Sequence, residues 1–168
     1  MRFLRIVAAA AAAVLAGCSA YTWRPQVPEA KRTVFVPAFR NDSDVTELGD
    51  RITAQLLREI QRGGVFRVAR AEDAAIEVQG VVKNASSHTV SYERRTGARN
   101  RERRFAAEAS VSIIDRTAGK VLVDGRKYRG ETTFLVNDYV TTGERDASGR
   151  IAEDIARRVA DDLLDMKY

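Results

Sequence analysis

The chain has 168 residues, with 28 Lys and Arg against 23 Asp and Glu and a formal charge of +5. This length fits a single domain, and the positive excess is too small to indicate a nucleic-acid ligand by itself. One histidine and one cysteine cannot supply the several His or Cys ligands that a structural zinc site needs.

An export signal is predicted at the start of the sequence. Two arginines precede an apolar run from Ile6 to Leu15, which is shorter than the about 20 residues needed to span a membrane. The run ends in Leu-Ala-Gly-Cys, which resembles the lipobox of bacterial lipoproteins, whose cysteine is lipidated and becomes the mature N-terminus. Lipidation also explains why an exported chain keeps one unpaired cysteine. We predict a signal peptide over residues 1–17 and a covalent lipid on Cys18; the alternative is an ordinary signal peptide with an incidental cysteine.

The lipobox resemblance implies a protein that its lipid anchors to a membrane. Ser19 follows the cysteine, and in bacterial lipoproteins a residue other than aspartate at this position is typical of the outer membrane, on its periplasmic face. Residues 18–31 contain two prolines and show no periodicity, so we predict a lipidated tether. Loss of the signal leaves a formal charge of about +3, and export argues against nucleic acid as a partner.

The first predicted element is a short strand. Residues 33–37 are mostly β-branched or aromatic and end in a proline, which cannot donate a hydrogen bond to a sheet. Asn41-Asp42-Ser43 has the composition of a turn.

A helix is predicted next. Asp44 and Glu47 match a capping box at its start. Leucine or isoleucine recurs at every fourth position from Leu48 to Ile60, which gives one apolar stripe. Gly63-Gly64 is expected to end the helix, and the following segment, Val65 to Val68, to lead toward the sheet.

Three long strands follow. Residues 76–82 alternate apolar and polar side chains, and this strand continues to Tyr92 past a predicted bulge near Ala85. Alternate residues from Phe105 to Ile113 form the apolar face of the next strand. Residues 120–136 form the last one, with an interruption near Asp124-Gly125. Each strand has one polar, solvent-exposed face, which predicts an antiparallel meander that is covered on one side only.

The last predicted element is a helix whose apolar stripe is formed by Ile151, Ile155, Val159 and Leu163. On its other side, acidic and basic residues balance each other in charge, which is not typical of a cationic membrane-surface helix. We predict an α+β domain over residues 32–168. It is a two-layer sandwich of a four-stranded sheet with two helices on one face, in the order β-α-β-β-β-α.

The sequence predicts no enzyme. His88, the single histidine, lies in a predicted strand among serines and is interpreted as an ordinary sheet residue. No G-x-S-x-G elbow surrounds a serine, and no phosphate-binding glycine loop is present. We therefore expect no catalytic residue, no metal site and no cofactor besides the covalent lipid.

A cluster of arginines stands out at the hairpin between the first two long strands. Only Glu93 and Glu102 balance it locally. Guanidinium groups bind phosphate bidentately, so the cluster predicts a site for a polyphosphorylated partner; the alternative is a hairpin tip kept soluble by its charge. The cluster consists of Arg94, Arg95, Arg99, Arg101, Arg103 and Arg104.

Part of this cluster follows the core face of its strand. Arg99, Arg101 and Arg103 have the same parity as Phe105, so we expect them to extend the inner face beyond the cover of the helices. Tyr92 and Phe105 flank the cluster and are interpreted either as contacts to a sugar or lipid or as core residues.

Taken together, these parts resemble the LPS-assembly lipoprotein family LptE. The resemblance is carried by the lipobox cysteine, the short tether, and the segments 33–41, 48–62, 65–68 and 115–122, in order and in length. It implies a lipoprotein of the outer membrane that plugs the LptD β-barrel and helps it to insert lipopolysaccharide into the outer leaflet. It also implies direct binding of lipopolysaccharide, in part through basic residues, to which we assign the arginine cluster as a hypothesis.

A second family offers an alternative partner. Residues 34–68 also resemble the N-terminal half of lipoproteins that activate peptidoglycan synthases or assist curli secretion. Three long strands and one closing helix follow here with little added, which favours LptE.

Overall fold

The described residues form six strands and two α-helices. The computed structural model describes residues 27–95, 98–136 and 140–168, without the side chains of 90–101 and 136–142. The predicted signal peptide and Cys18 lie outside the described residues. The elements, in chain order, are β1 (Thr33–Phe35), β2 (Arg40–Asn41), α1 (Leu48–Gly63), β3 (Arg67–Val68), β4 (Ile76–Arg95), β5 (Ala98–Asp115), β6 (Lys120–Val136) and α2 (Val140–Asp165).

All six described strands belong to one mixed sheet. Its order is β3-β1-β4-β5-β6, and β2 pairs with β4 further along that strand. The short strands pair in parallel, β1 with β3 and β4, and β2 with β4. The predicted antiparallel meander of β4, β5 and β6 is confirmed. Parallel neighbours need a crossover connection, and α1 provides it.

The α+β class and the two helices are confirmed, but the predicted four-stranded sheet in the order β-α-β-β-β-α is wrong. The extra strands, β2 and β3, have two residues each. β2 contains Asn41, which the sequence places in a turn, and β3 ends at Val68, in a segment expected only to approach the sheet. A two-residue strand cannot show alternation, so it is recognised only once its partner strand is known.

Alternation along the long strands separates a core face from an open face. The predicted core residues of β5, from Phe105 to Ile113, are at most 5% exposed. They join the apolar stripes of α1 and α2 in one cluster of buried residues, which confirms both predicted stripes. α2 packs against β5, β6 and α1, whereas α1 also lies against β2, β3 and β4.

The two predicted irregularities of the long strands coincide with shifts of register. The pairing of β4 with β5 slips by one residue between Val82 and Asn84, close to the predicted bulge. β6 continues through residues 124–125 as one strand, but its register with β5 shifts there. The side chain of Ser112 accepts a hydrogen bond from the Gly125 amide at 2.9 Å and so anchors the shifted segment.

The start of α1 differs from the prediction. α1 begins at Leu48 after Glu47, which has left-handed backbone angles (φ 65°, ψ 0°) and makes no capping hydrogen bond through its side chain, so the predicted capping box is wrong. Asn41 organises this loop instead: its Nδ2 donates to the Val45 carbonyl at 2.8 Å, and its Oδ1 accepts from the Ser43 amide at 3.1 Å. At the other end, the predicted termination at residues 63–64 is confirmed.

Phe39 fixes the segment between β1 and β2 to α1 and β4. Its amide donates to Thr53 Oγ1 at 2.9 Å, and that hydroxyl donates to the Gly49 carbonyl at 2.9 Å. The Phe39 ring occupies the space above Gly80, where a Cβ would clash with it. The glycine in β4 therefore allows a buried aromatic ring to lie directly on the sheet.

The three long strands extend beyond their short neighbours as an arm. We define the arm as residues 84–95, 98–108 and 129–136, which pair with one another after the last β2–β4 pair at Val82. β5 has 18 residues, and at about 3.4 Å per residue it is roughly 60 Å long. The arm carries the predicted arginine cluster at its tip.

Candidate functional site

The backbone register brings the positions of the arginine cluster together at the tip of the arm. Arg94 pairs with Arg99, Arg95 lies opposite Ala98, and Arg101 follows two pairs behind Arg99, opposite Tyr92. The side chains of these four arginines lie outside the described residues. Strand pairing therefore places the backbone of these positions at one end of the sheet, and their role in binding stays a prediction.

Arg103 is held by the protein itself. It follows the parity of Phe105, and its Nη2 donates to the Ser87 carbonyl at 3.1 Å across β4. Its Nε and the Ser87 hydroxyl are buried, and neither has a hydrogen-bond partner among the described residues. Arg103 therefore has one defined protein contact and one unused donor.

Arg104 belongs to the opposite, open face of the sheet. Its Nε lies 3.0 Å from Glu131 Oε1 on β6, and both side chains are about half exposed. An exposed ion pair of this kind contributes little to stability. It does, however, compensate part of the charge on this face of the cluster.

Two further predictions at the cluster have separate outcomes. Phe105 is completely buried, so it is a core residue, whereas the side chain of Tyr92 lies outside the described residues. Leu135, which is not among the predicted site residues, is 64% exposed and lies opposite Glu102 near the tip. Its parity in β6 is the signal that places it on the open face.

The open face at the base of the arm is a shallow cleft with compensated charges. It has a volume of about 240 Å³ and includes Glu108, Arg129 and Glu131 in its lining. Glu108 pairs with Arg129 at 2.5 Å and with Lys127 at 3.3 Å. The hydrogen bond from Arg129 lowers the pKa of Glu108. This part of the surface is polar and close to neutral.

The described residues give no support for metal chemistry. They contain no group of three His, Cys, Asp or Glu side chains that could hold an ion. His88 is exposed on β4, in register with Arg104.

A clamp closes the end of the sheet that lies opposite the tip. Lys31 Nζ donates to both oxygens of Asp115, at 2.6 and 2.5 Å, and also contacts the Thr117 hydroxyl. Asp115 Oδ1 accepts from the amides of Thr117 and Ala118, each at 3.0 Å. These hydrogen bonds, above all that from Lys31, lower the pKa of Asp115 to about 2.

The clamp also fixes the point where the chain enters the domain. Val27, the first described residue, is 2% exposed and belongs to the core, and its carbonyl accepts from Arg32 Nε at 3.1 Å. Residues 27–31, which the sequence analysis assigns to the tether, therefore form a strap against the base of the sheet. The turn-forming pattern Asp115-Arg-Thr117 is a local signal for one half of the clamp, but nothing in the sequence pairs it with Lys31.

The sequence from residue 32 to residue 165 matches the family model described as "LptE: Lipopolysaccharide-assembly". The chain belongs to the LptE family. The match spans both helices and all described strands, so the resemblance found in the sequence is confirmed. No curated protein matches the chain significantly.

Solved structures share the fold at low identity. The match to a minor lipoprotein from Acinetobacter baumannii has a TM-score of 0.53 at 11% identity, covering 80% of this chain and 93% of the other. A putative neuraminyllactose-binding hemagglutinin homolog from Helicobacter pylori gives 0.55 at 9% identity, with 85% and 89% covered. A hypothetical protein from Chlamydia trachomatis gives 0.52 at 12%, with 80% and 96% covered. At these identities the matches show a similar fold and nothing more.

Membership of the LptE family places the chain among the lipoproteins of lipopolysaccharide assembly. Such lipoproteins are associated with a membrane. Among the described helices, none has the length and apolar character needed to cross a bilayer.

Proposed function

We propose that this chain is an outer-membrane lipoprotein that occupies the lumen of an LptD-like β-barrel, binds lipopolysaccharide directly, and assists its assembly into the outer leaflet. The family match over residues 32–165 carries the proposal. The protein acts by occupying the barrel and holding the lipid, with no catalytic residue of its own.

The length of β5, from the base of the sheet to the tip of the arm, supports a role across the membrane. β5 extends for roughly 60 Å, whereas a bilayer with its headgroups is about 40–45 Å thick. The clamp at Asp115 and the arginine positions at Arg94 and Arg99 lie at opposite ends of this strand pair. A domain whose base stays on the periplasmic side can thus place its tip near the outer leaflet.

The surface of the arm suits a polar lumen. Its open face carries the Arg104–Glu131 pair and the Glu108–Arg129 pair in place of an apolar patch. The interior of large outer-membrane barrels is polar and hydrated. A plug with compensated surface charges can sit there without burying unpaired ions.

The arginine cluster is the proposed binding site for lipopolysaccharide. The phosphates of lipid A are anionic, and guanidinium groups bind phosphate through paired hydrogen bonds. Arg103 and Arg104 are engaged with Ser87 and Glu131. We assign the phosphate contacts to the cluster as a whole, in which these two arginines must share or give up their protein contacts to bind a phosphate.

A lipid on Cys18 is the proposed anchor. Eight residues lie between Cys18 and Val27, the start of the strap, and the nine residue-to-residue steps of an extended chain span at most about 30 Å. The base of the sheet therefore stays within that distance of the lipid headgroups. One acyl chain alone gives weak attachment, so several chains are required for permanent anchoring.

Affinity purification tests the proposed partner. The full chain, tagged at its C-terminus, is extracted from native membranes in mild detergent, with an unrelated tagged outer-membrane lipoprotein as the control. We expect a large β-barrel protein in the sample and not in the control. Recovery of a peptidoglycan synthase without a barrel would reject the proposal in favour of the synthase activators.

A further inference from the structure

The arm has two open edges. Within residues 27–95, 98–136 and 140–168, β6 pairs only with β5, and β4 has no strand partner beyond Val82 on its other side. A long, exposed edge presents a row of unpaired amides and carbonyls, and a strand of another chain can add to it. β6 is 17 residues long, so its edge would be an extended template for such pairing.

On β6, two arginines from α2 occupy outward-facing carbonyls. Arg158 Nη2 donates to the Arg129 carbonyl, and Arg150 Nη2 donates to the Thr133 carbonyl at 3.3 Å. Residues 129 and 133 have the same parity, and in an antiparallel strand alternate residues direct both backbone groups away from the partner. Asp154 holds Arg158 in place through a contact of 2.6 Å.

On β4, an arginine from β5 also donates a hydrogen bond to an outward-facing carbonyl. The Val82 carbonyl accepts a hydrogen bond from the Asp42 amide at 2.9 Å, so the backbone amide and carbonyl of Val82 point away from β5. The backbone groups of its partner Ala109 therefore point toward β6. β5 has no bulge between Ala109 and Phe105, so Phe105 also turns toward β6. Ser87, opposite Phe105, therefore presents its backbone to the free edge.

That Ser87 carbonyl is the one that Arg103 Nη2 contacts at 3.1 Å. Each open edge of the arm is thus capped by at least one guanidinium group: Arg103 on β4, and Arg150 and Arg158 on β6. The caps reach the edges from neighbouring elements, and none belongs to the edge strand that it covers.

We infer that these three arginines prevent the arm from pairing edge to edge with a second copy of this chain. A guanidinium bonded to an outward carbonyl removes an acceptor and places a desolvation cost on any incoming strand. If two copies of the chain met about a two-fold axis, their β6 edges would run antiparallel and form a self-complementary contact. The caps oppose this contact. This inference does not depend on the proposed function.

The test removes the two caps of β6 from the full chain in detergent. We expect the double variant Arg150→Ala/Arg158→Ala to sediment as dimers and larger species at a concentration where the unchanged protein is monomeric. Arg145→Ala/Arg157→Ala is the matched control, because it removes the same charge from exposed positions of α2 and leaves both caps in place. Association of the control, or a monomeric cap variant, would overturn the inference.

A rescue variant separates edge pairing from general aggregation. Glu131 shares the outward parity of residues 129 and 133, so proline at this position removes an edge amide without breaking the β5–β6 ladder. Glu131→Pro added to the double variant should restore the monomer, whereas persistent association would show that the edge is not responsible. Circular dichroism checks folding, and the single variants Arg150→Ala and Arg158→Ala decide the outcome if the double variant is unfolded.

Discussion

Asp115 is a nearly buried carboxylate whose partners all favour its charged form. It is 4% exposed, and it accepts hydrogen bonds from Lys31 and from two amides of the following turn. Since these contacts lower its pKa to about 2 from a usual value of 3.8, ionised Asp115 stabilises the folded state. The stabilisation is present above pH 4 and is lost as the pH falls toward 2.

Asp115→Asn should reduce the free energy of unfolding at pH 7 by roughly 1–2 kcal/mol. The difference from the unchanged protein should shrink between pH 4 and pH 2, because the wild-type carboxylate is protonated there. Urea unfolding at several pH values measures this. Asp42→Asn is the control, since Asp42 is an exposed partner of Arg40; a difference for Asp115→Asn that stayed constant with pH would contradict the charge-based explanation.

At the scale of elements, periodicity predicts the long segments and misses the short ones. The stripes of α1 and α2 and the alternation of β4 and β5 extend over many residues, so the sequence alone predicts them. β2 and β3 depend on contacts with distant residues, such as the parallel pairing of Asn41 with Val82, and the start of α1 depends on the side-chain hydrogen bonds of Asn41 to the loop before it. The Lys31–Asp115 clamp joins residues 84 positions apart, and no local pattern encodes such a pair.

Glu47→Gly should stabilise the start of α1 by about 0.5–1 kcal/mol, because glycine adopts the left-handed conformation of this residue without strain. The substitution also removes an exposed pair with Arg51 at 3.2 Å, which is worth little. Chemical denaturation measures the change. Glu47→Ala loses the same pair and keeps the strain, so a glycine variant no more stable than the alanine variant would disprove this account.

The arginine hairpin gives a prediction about binding. Arg99→Ala/Arg101→Ala should weaken binding of lipopolysaccharide, and the remaining affinity should depend less steeply on salt. Binding to the full chain is measured across a salt titration, with Arg145→Ala/Arg157→Ala as a control of equal charge. We leave Arg103 unchanged because its contact with Ser87 is structural. Equal affinity of both variants and the unchanged protein would reject this site.

The two ends of the whole molecule differ. The chain enters the domain at one end, and the arginine positions lie at the other. The strap of Val27 and Lys31 joins the base of the sheet, and the arm extends in the opposite direction. The sequence predicts both ends separately, as tether and as hairpin. Their placement at opposite ends follows from the strand pairing, which the sequence does not specify.

Cys18→Ala should release the protein from the membrane without unfolding it, because side chains of the strands and of both helices form the hydrophobic core. In cells that produce the chain in excess over its barrel partner, fractionation should find the variant in the periplasm, and its melting temperature should match that of the unchanged domain. Retention of the variant in the membrane fraction after a high-salt wash would argue against lipid as the anchor.

The alternation of side chains along the strands of the arm restricts how the length of the arm can change. Deleting one residue from β5 would rotate Phe105 and every residue beyond it to the opposite face of the sheet. Length can therefore change only in steps of two residues on each strand, about 7 Å at a time. Homologues fitted to membranes of different thickness should accordingly differ in this hairpin by even numbers of residues per strand, and odd insertions should be confined to bulges such as the one beside Val82.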